Sequence, residues 1–345
     1  KAVRAQGGTV QDAAAGDERG CVRAQLMQTT VCADCRQQTM SCDLPTALAT
    51  LAALPEVEWI EPYQMPALLN DMAVQSPRMN VQAVWAKGLT GKGQIVAVAD
   101  TGLDIGVNNA TLHPDFTNRL RMAFARARAN DWSDNVGHGT HVCGSVLGNG
   151  SASAGQFRGV AYEAELVLQS TADASGYLTG LPADLNVLYL QTYTNGARLH
   201  SNSWGSDEYP GAYTADARNT DKFMWDHPDM LILFAAGNAG RDMYRDGVVD
   251  SHNLSSPATA KNVISVAAAE SSRPAGSGGC SSFKYGSLQF GYYTWMTPPI
   301  TLDYISANYD GVHQGMAAFS SRGPCADGRI KPDLTAPGTD IISCR

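Results

Sequence analysis

Gly137-His138-Gly139-Thr140-His141 sets a histidine between two glycines, just after the polar loop from Asn130 to Asn135. Glycine on either side lets backbone and a ligand come close to the ring, and imidazole titrates near neutral pH. A histidine so placed works as a general base when an acid orients it and a nucleophile gives up a proton to it. Asp100, closing the apolar run from Gln94 to Ala99, supplies the acid. An aspartate after a strand serves equally well to cap the next helix. His141 invites a zinc pair with His138, but no third ligand offers itself, and zinc takes at least three protein ligands. Asn238, after the apolar run from Met230 to Ala236, is a further polar candidate. Read alone, it is an asparagine ending a strand in a turn.

These groups lie far apart in sequence, so the elements between them must bring them together. Gln94–Gly102, Glu165–Ser170, Leu199–Gly205 (turning into a polar loop), Met230–Ala236 and Asn262–Ala268 read as strands. Helical patterns at Val81–Lys87 and Asp184–Asn195, and a helix starting at His138, alternate with them. That alternation predicts an α/β fold in three layers, with a mostly parallel sheet covered on both faces. In such sheets ligands gather at the C-terminal ends of strands, where Asp100 and Asn238 fall. A dinucleotide site is excluded by order, because Gly91 and Gly93 precede the strand and no G-x-G-x-x-G follows it.

Residues 1–69 read as a separate small α/β unit. Pro45 to Leu54 has helical spacing, Val57 to Glu61 alternates like a strand, and Pro62 and Pro66 open a linker. Ser271 to Met316 reads as a long irregular insertion or hairpin. The 345 residues suffice for one large and one small domain, with 44% apolar and 17% charged residues. A net charge of -8 without a basic cluster argues against a nucleic-acid partner. No apolar run approaches the roughly 20 residues of a membrane helix. Lys1 in place of an initiator methionine points to a true start that is missing or was removed. Cys21, Cys32, Cys35 and Cys42 allow local disulfides or a zinc site, and the lack of a second C-x2-C or histidine pair favours disulfides. Cys143 reads as a small apolar helix residue, and pairing among Cys280, Cys325 and Cys344 stays open.

Asp100-Thr101-Gly102, Gly137-His138-Gly139-Thr140-His141 and Ala235-Ala236-Gly237-Asn238, in that order, resemble the subtilisin-like serine peptidases, the subtilases. The resemblance runs from about Asn70 to Arg345. It is nearest to the large, oxidatively stable alkaline subtilases with a C-terminal β-sandwich, through Gly93–Asp104, Gly144–Gly150, Phe319–Pro324 and Asp327–Thr339. It implies His138 as general base, Asp100 as its orienting acid and Asn238 as oxyanion-hole donor. Ser203, Trp204 and Gly205 would pair with substrate backbone. Ala235, Ala236 and Gly237 would line one wall of the pocket for the residue before the scissile bond, open to a large apolar side chain, with Pro257 beside it. Residues 1–69 would be an inhibitory propeptide of ferredoxin-like fold, leaving residues 70–345 as a secreted catalytic domain acting on protein or peptide.

The family's nucleophile lies in Gly-Thr-Ser-Met-Ala, and no Gly-Thr-Ser occurs in these 345 residues. The sheet is therefore expected to be incomplete at its C-terminal end. Two readings follow. In one, the chain is part of a secreted serine endopeptidase, truncated or nicked after Arg345, whose serine lies outside these residues; in the other, a non-catalytic subtilase-like domain binds or builds in an extracellular assembly. No cofactor is needed for the chemistry, but a structural calcium is suggested within Arg241–Asn253. Asp242, Asp246, Val248 and Asp250 match ligand positions of a calcium loop, against the plainer reading of a solvated acidic turn.

Overall fold

Contacts divide the chain into two units, Lys1–Pro66 and Ala67–Arg345. The computed structural model describes residues 9–14, 21–25, 49–55, 79–271, 284–287, 295, 297–305 and 315–345. In the first unit β1 (Thr9–Ala14) pairs antiparallel with β2 (Cys21–Gln25), with a register shift between Val10 and Asp12. Residues 49–52 are helical, inside the predicted helix. The predicted strand Val57–Glu61 and the side chains of the four N-terminal cysteines lie outside the described residues.

In the second unit the short helix α1 (Val81–Trp85) precedes, among the described residues, a sheet of seven strands. These are β3 (Ile95–Asp100), β4 (Leu120–Ala125), β5 (Glu165–Ser170), β6 (Leu199–Asn202), β7 (Leu231–Ala235), β8 (Ile264–Ala269) and β9 (Leu334–Pro337). Their order is β4-β5-β3-β6-β7-β8-β9, and every neighbouring pair is parallel. β3 and β5 are buried along nearly their whole length, as strands covered on both faces must be, and this explains their unbroken apolar sequences.

The period of two sorts β3 between the layers. Val96 and Val98 join Leu147, Leu166 and Leu168 on the face covered by helix α2 (His138–Leu147). Ala99 joins Leu188, Tyr189, Phe223 and Phe234 on the opposite face, under α3 (Leu185–Tyr193) and α4 (Ala215–Asp226). Asp184 caps α3 by accepting from Asn186 N–H, and Thr214 caps α4 by accepting from Ala217 N–H. Within the long insertion, Tyr285, Trp295, Ile300 and Ile305 pack with Ala318 into a small apolar cluster. No helix among the described residues is long and apolar enough to cross a membrane.

Candidate active site

The strand register levels the C-terminal ends of β3, β6 and β7: Ala99 pairs with Asn202, and Asn202 with Phe234. Asp100 is therefore the last residue of a central strand, and its side chain is only 2% exposed. α2 begins at His138, close to that strand end. Its close approach depends on Gly139, where an added Cβ would lie 2.4 Å from Gly102 O.

His138 Nδ1 lies 2.7 Å from Asp100 Oδ1, which also accepts the Thr101 backbone N–H at 2.7 Å. With the carboxylate accepting, Nδ1 carries the hydrogen and Nε2 keeps its lone pair. The His138 side chain is 51% exposed, so the ring can meet a substrate. Its hydrogen bond to Asp100 raises the imidazole pKa, against the opposing effect of burial. His141 and His200 go the other way. Burial lowers His141, whose Nε2 lies 3.1 Å from Ile341 O. Burial pushes His200 down to about 3. His138 and His141 thus have separate partners.

Asp134 fastens this arrangement. Its Oδ2 accepts from Thr140 N–H (2.7 Å) and Thr140 hydroxyl (2.6 Å), and its Oδ1 accepts from Gly137 N–H (2.8 Å). It thereby binds orphan amides at the start of α2, although the capping residue itself is a glycine. Thr101 donates its hydroxyl to Asp134 Oδ1 at 2.7 Å and accepts Gly139 N–H at 2.8 Å. Burial pushes the Asp134 carboxyl up, but the hydrogen bonds from Thr140, Thr101 and Gly137 outweigh it and hold its pKa below the ordinary value. The sequence reading passed over Asp134. Its signal was an acid four residues before His138 and six before a threonine able to share it.

Asn238 is exposed in the bend three residues past β7, at the same C-terminal end of the sheet as Asp100. No described contact joins it to Asp100 or His138. The bend is held by Ser321, whose N–H donates to Gly237 O (2.9 Å) and whose hydroxyl accepts Ala239 N–H (3.0 Å). Trp204 turns its ring into the sheet: the indole N–H donates to Ala99 O at 3.1 Å, and the ring meets Phe234 edge-on at 5.0 Å. Ser203 and Gly205 continue past β6 on either side of it. Ala235, Ala236 and Gly237 continue β7.

Ser255, only 3% exposed, lies against both strand extensions. A Cβ on Gly237 would fall 1.9 Å from its Oγ, and one on Gly205 would fall 2.9 Å from its Cβ. Its N–H donates to Ala236 O at 3.0 Å and its hydroxyl to Asp207.

In the loop from Arg241 to Asn253 the acids hold backbone amides. Asp242 accepts from Asp246 N–H (3.0 Å) and Gly247 N–H (3.1 Å), Asp246 from Val248 N–H (2.9 Å), and Asp250 from Met243 N–H (2.7 Å). Among the described residues the one group of three ligand atoms within 4.8 Å of one another is His113, Asp115 and Cys344. Cys143, Cys325 and Cys344 are buried free thiols, so no disulfide joins Cys325 to Cys344. Ser343 donates its hydroxyl to His141 O at 2.7 Å and is committed there.

The sequence profile of the subtilase family matches residues 91–344. The serine protease/ABC transporter B family protein tagD of Dictyostelium discoideum is 33% identical over 338 residues, 80% of this chain and 17% of that protein. The serine protease AprX of Bacillus subtilis is 31% identical over 273 residues, 74% of this chain and 49% of its own length. The CspB protease of Clostridium perfringens superposes with a TM-score of 0.50 at 16% identity, covering 76% of this chain and 80% of that structure. The chain thus spans half or less of the length of these two sequence relatives.

Proposed function

The chain belongs to the subtilase family, and from that premise we propose that it is the Asp- and His-bearing part of a secreted serine endopeptidase. The observation that carries this reading is the 2.7 Å contact between His138 Nδ1 and the buried Asp100 carboxylate. It leaves Nε2 free to take the proton of a serine hydroxyl as that oxygen attacks a peptide carbonyl. Asp100 stabilises the imidazolium so formed, and His138 then hands the proton to the leaving amine. The side-chain amide of Asn238 donates to the developing oxyanion; in subtilisin such a donor is worth about 10²–10³ in turnover. The serine is supplied from outside these 345 residues.

Residues 1–69 act in this reading as an inhibitory propeptide, cut away near Leu69. The large alkaline subtilases remain the nearest subtype by motif. A structural calcium on Asp242, Asp246, Val248 and Asp250 is part of this reading.

Intact-mass analysis and peptide mapping after labelling with a fluorophosphonate test the proposal on protein from its natural source. The expected result is a labelled serine in a Gly-Thr-Ser sequence of the same polypeptide or of a tightly copurifying fragment. Full-length protein with that serine replaced, and unlabelled, would overturn it.

A further inference from the structure

His113 and Asp115 sit on a tight turn (Pro114–Phe116) beside the start of β4, and Cys344 arrives from the far end of the chain. The Cys344 Sγ lies 3.4 Å from Asp115 Oδ2. One ligand atom from each of the three residues lies within 4.8 Å of the other two. Asp115 is 3% and Cys344 7% exposed, while His113 is half-buried and opens the cluster towards solvent. We infer that His113, Asp115 and Cys344 form a site for a zinc-class divalent ion, separate from the Asp100–His138 centre.

The chemistry of the donors selects the ion. Thiolate with imidazole favours zinc over calcium or magnesium, which take oxygen shells. In tetrahedral zinc, sulfur at about 2.3 Å and nitrogen or oxygen at about 2.1 Å lie about 3.4–3.6 Å from each other. The sulfur–oxygen edge already has that length. The His113 donor lies within 4.8 Å of both, and Nε2 is its available nitrogen, because Nδ1 accepts the Asp115 backbone N–H at 3.2 Å. Solvent takes the fourth position.

Two further features suit the role. The Asp115 carboxylate is held in place by Ala152 N–H on Oδ1 (2.8 Å) and Gly150 N–H on Oδ2 (3.1 Å), the kind of support that orients a metal ligand. Arg119, the nearby cation, is bonded to the carbonyls of Leu147, Ala164 and Asp115 and not to the carboxylate, so it leaves the donor atoms free. Binding breaks the Cys344 S–H bond, forms S–Zn and releases one proton to solvent, with no change of oxidation state. The ion would then tie the turn at His113 to the segment Ile341–Cys344. That segment already leans on α2 through His141: Ile341 O meets its ring and Ser343 its carbonyl.

The test uses the whole 345-residue chain, stripped with a chelator under reducing conditions and reloaded with zinc, or with cobalt as a spectroscopic probe. Cys344→Ser and His113→Gln, each checked by circular dichroism, are compared with wild type. The expected result is one metal ion fewer per chain in each variant, with the cobalt–thiolate charge-transfer band reduced by one thiolate in Cys344→Ser. Zinc should also raise the thermal midpoint of wild type more than that of either variant. Equal metal content in all three proteins would overturn the inference. So would loss of metal only on replacing Cys21, Cys32, Cys35 and Cys42.

Discussion

Thr101 and Asp134 share a hydroxyl–carboxylate hydrogen bond of 2.7 Å that joins the strand end of the acid to the helix start of the base. The same hydroxyl accepts Gly139 N–H, so one side chain spans both elements. Thr101→Val keeps the shape and deletes both bonds, leaving a buried amide and carboxylate oxygen short of a partner. The expected cost is about 1–3 kcal/mol of stability. The His138 pKa should fall towards its ordinary value as the pair loosens, and Thr101→Ser should restore it. Thermal unfolding and an NMR titration of the His138 ring read the two effects. An unchanged titration in the valine variant would confine Thr101 to a purely structural part.

Asp100→Asn should lower the His138 pKa, because the hydrogen bond that raises it is made to a carboxylate. A raised folded pKa stabilises the fold fully below the ordinary histidine value of about 6.5, and that contribution disappears as pH rises through the folded pKa. The stability gap between wild type and Asp100→Asn should therefore be widest in mildly acid solution and shrink towards alkaline pH. Denaturant unfolding across that range checks the sign. A gap that widens with rising pH would contradict the assignment.

Much of this was legible because the motif residues sit where local sequence changes character. β5 was predicted at its observed bounds, since a strand buried on both faces shows as an apolar run between turns. Asp100 and His138 were found by their positions at a strand end and between glycines. β4 and β9 were missed: LRMAFA carries exposed and half-buried positions, and LTAP is four residues ending in proline. α4 was missed because its mean composition is polar and its signal lies in the Thr214 cap. Ser255, Ser321 and the His113–Asp115–Cys344 cluster were not legible. Each draws its meaning from a partner tens to hundreds of residues away, and spacing along the chain carries no trace of that contact.

Gly139→Ala should be costly without touching a catalytic atom. Its Cβ would lie 2.4 Å from Gly102 O and 2.8 Å from Gly102 N, and backbone cannot step aside as a side-chain tip does. The helix start must move away from the Asp100 strand end. Overpacking of this kind costs about 1–3 kcal/mol. The His138–Asp100 bond should lengthen, so the thermal midpoint and the His138 pKa should fall together. A fall in midpoint with an unmoved pKa would mean that the strain is absorbed elsewhere.

Gly237→Ala separates steric crowding from backbone strain at the candidate pocket. The glycine has φ of +111°, and an added Cβ would sit 1.9 Å from Ser255 Oγ and 2.7 Å from Ser321 Oγ. Two penalties therefore act together: a conformation that L-residues avoid, and a collision with a buried hydroxyl that anchors Asp207. Ser255→Gly removes the nearer obstacle and leaves φ unchanged. In a double-mutant cycle, Ser255→Gly should recover part of the stability lost in Gly237→Ala, with a coupling of about 0.5–3 kcal/mol. The unrecovered remainder reports the backbone term, about 1–2 kcal/mol for a residue forced to positive φ. Additive effects in the cycle would show that the Ser255 hydroxyl is not what a Cβ at position 237 meets.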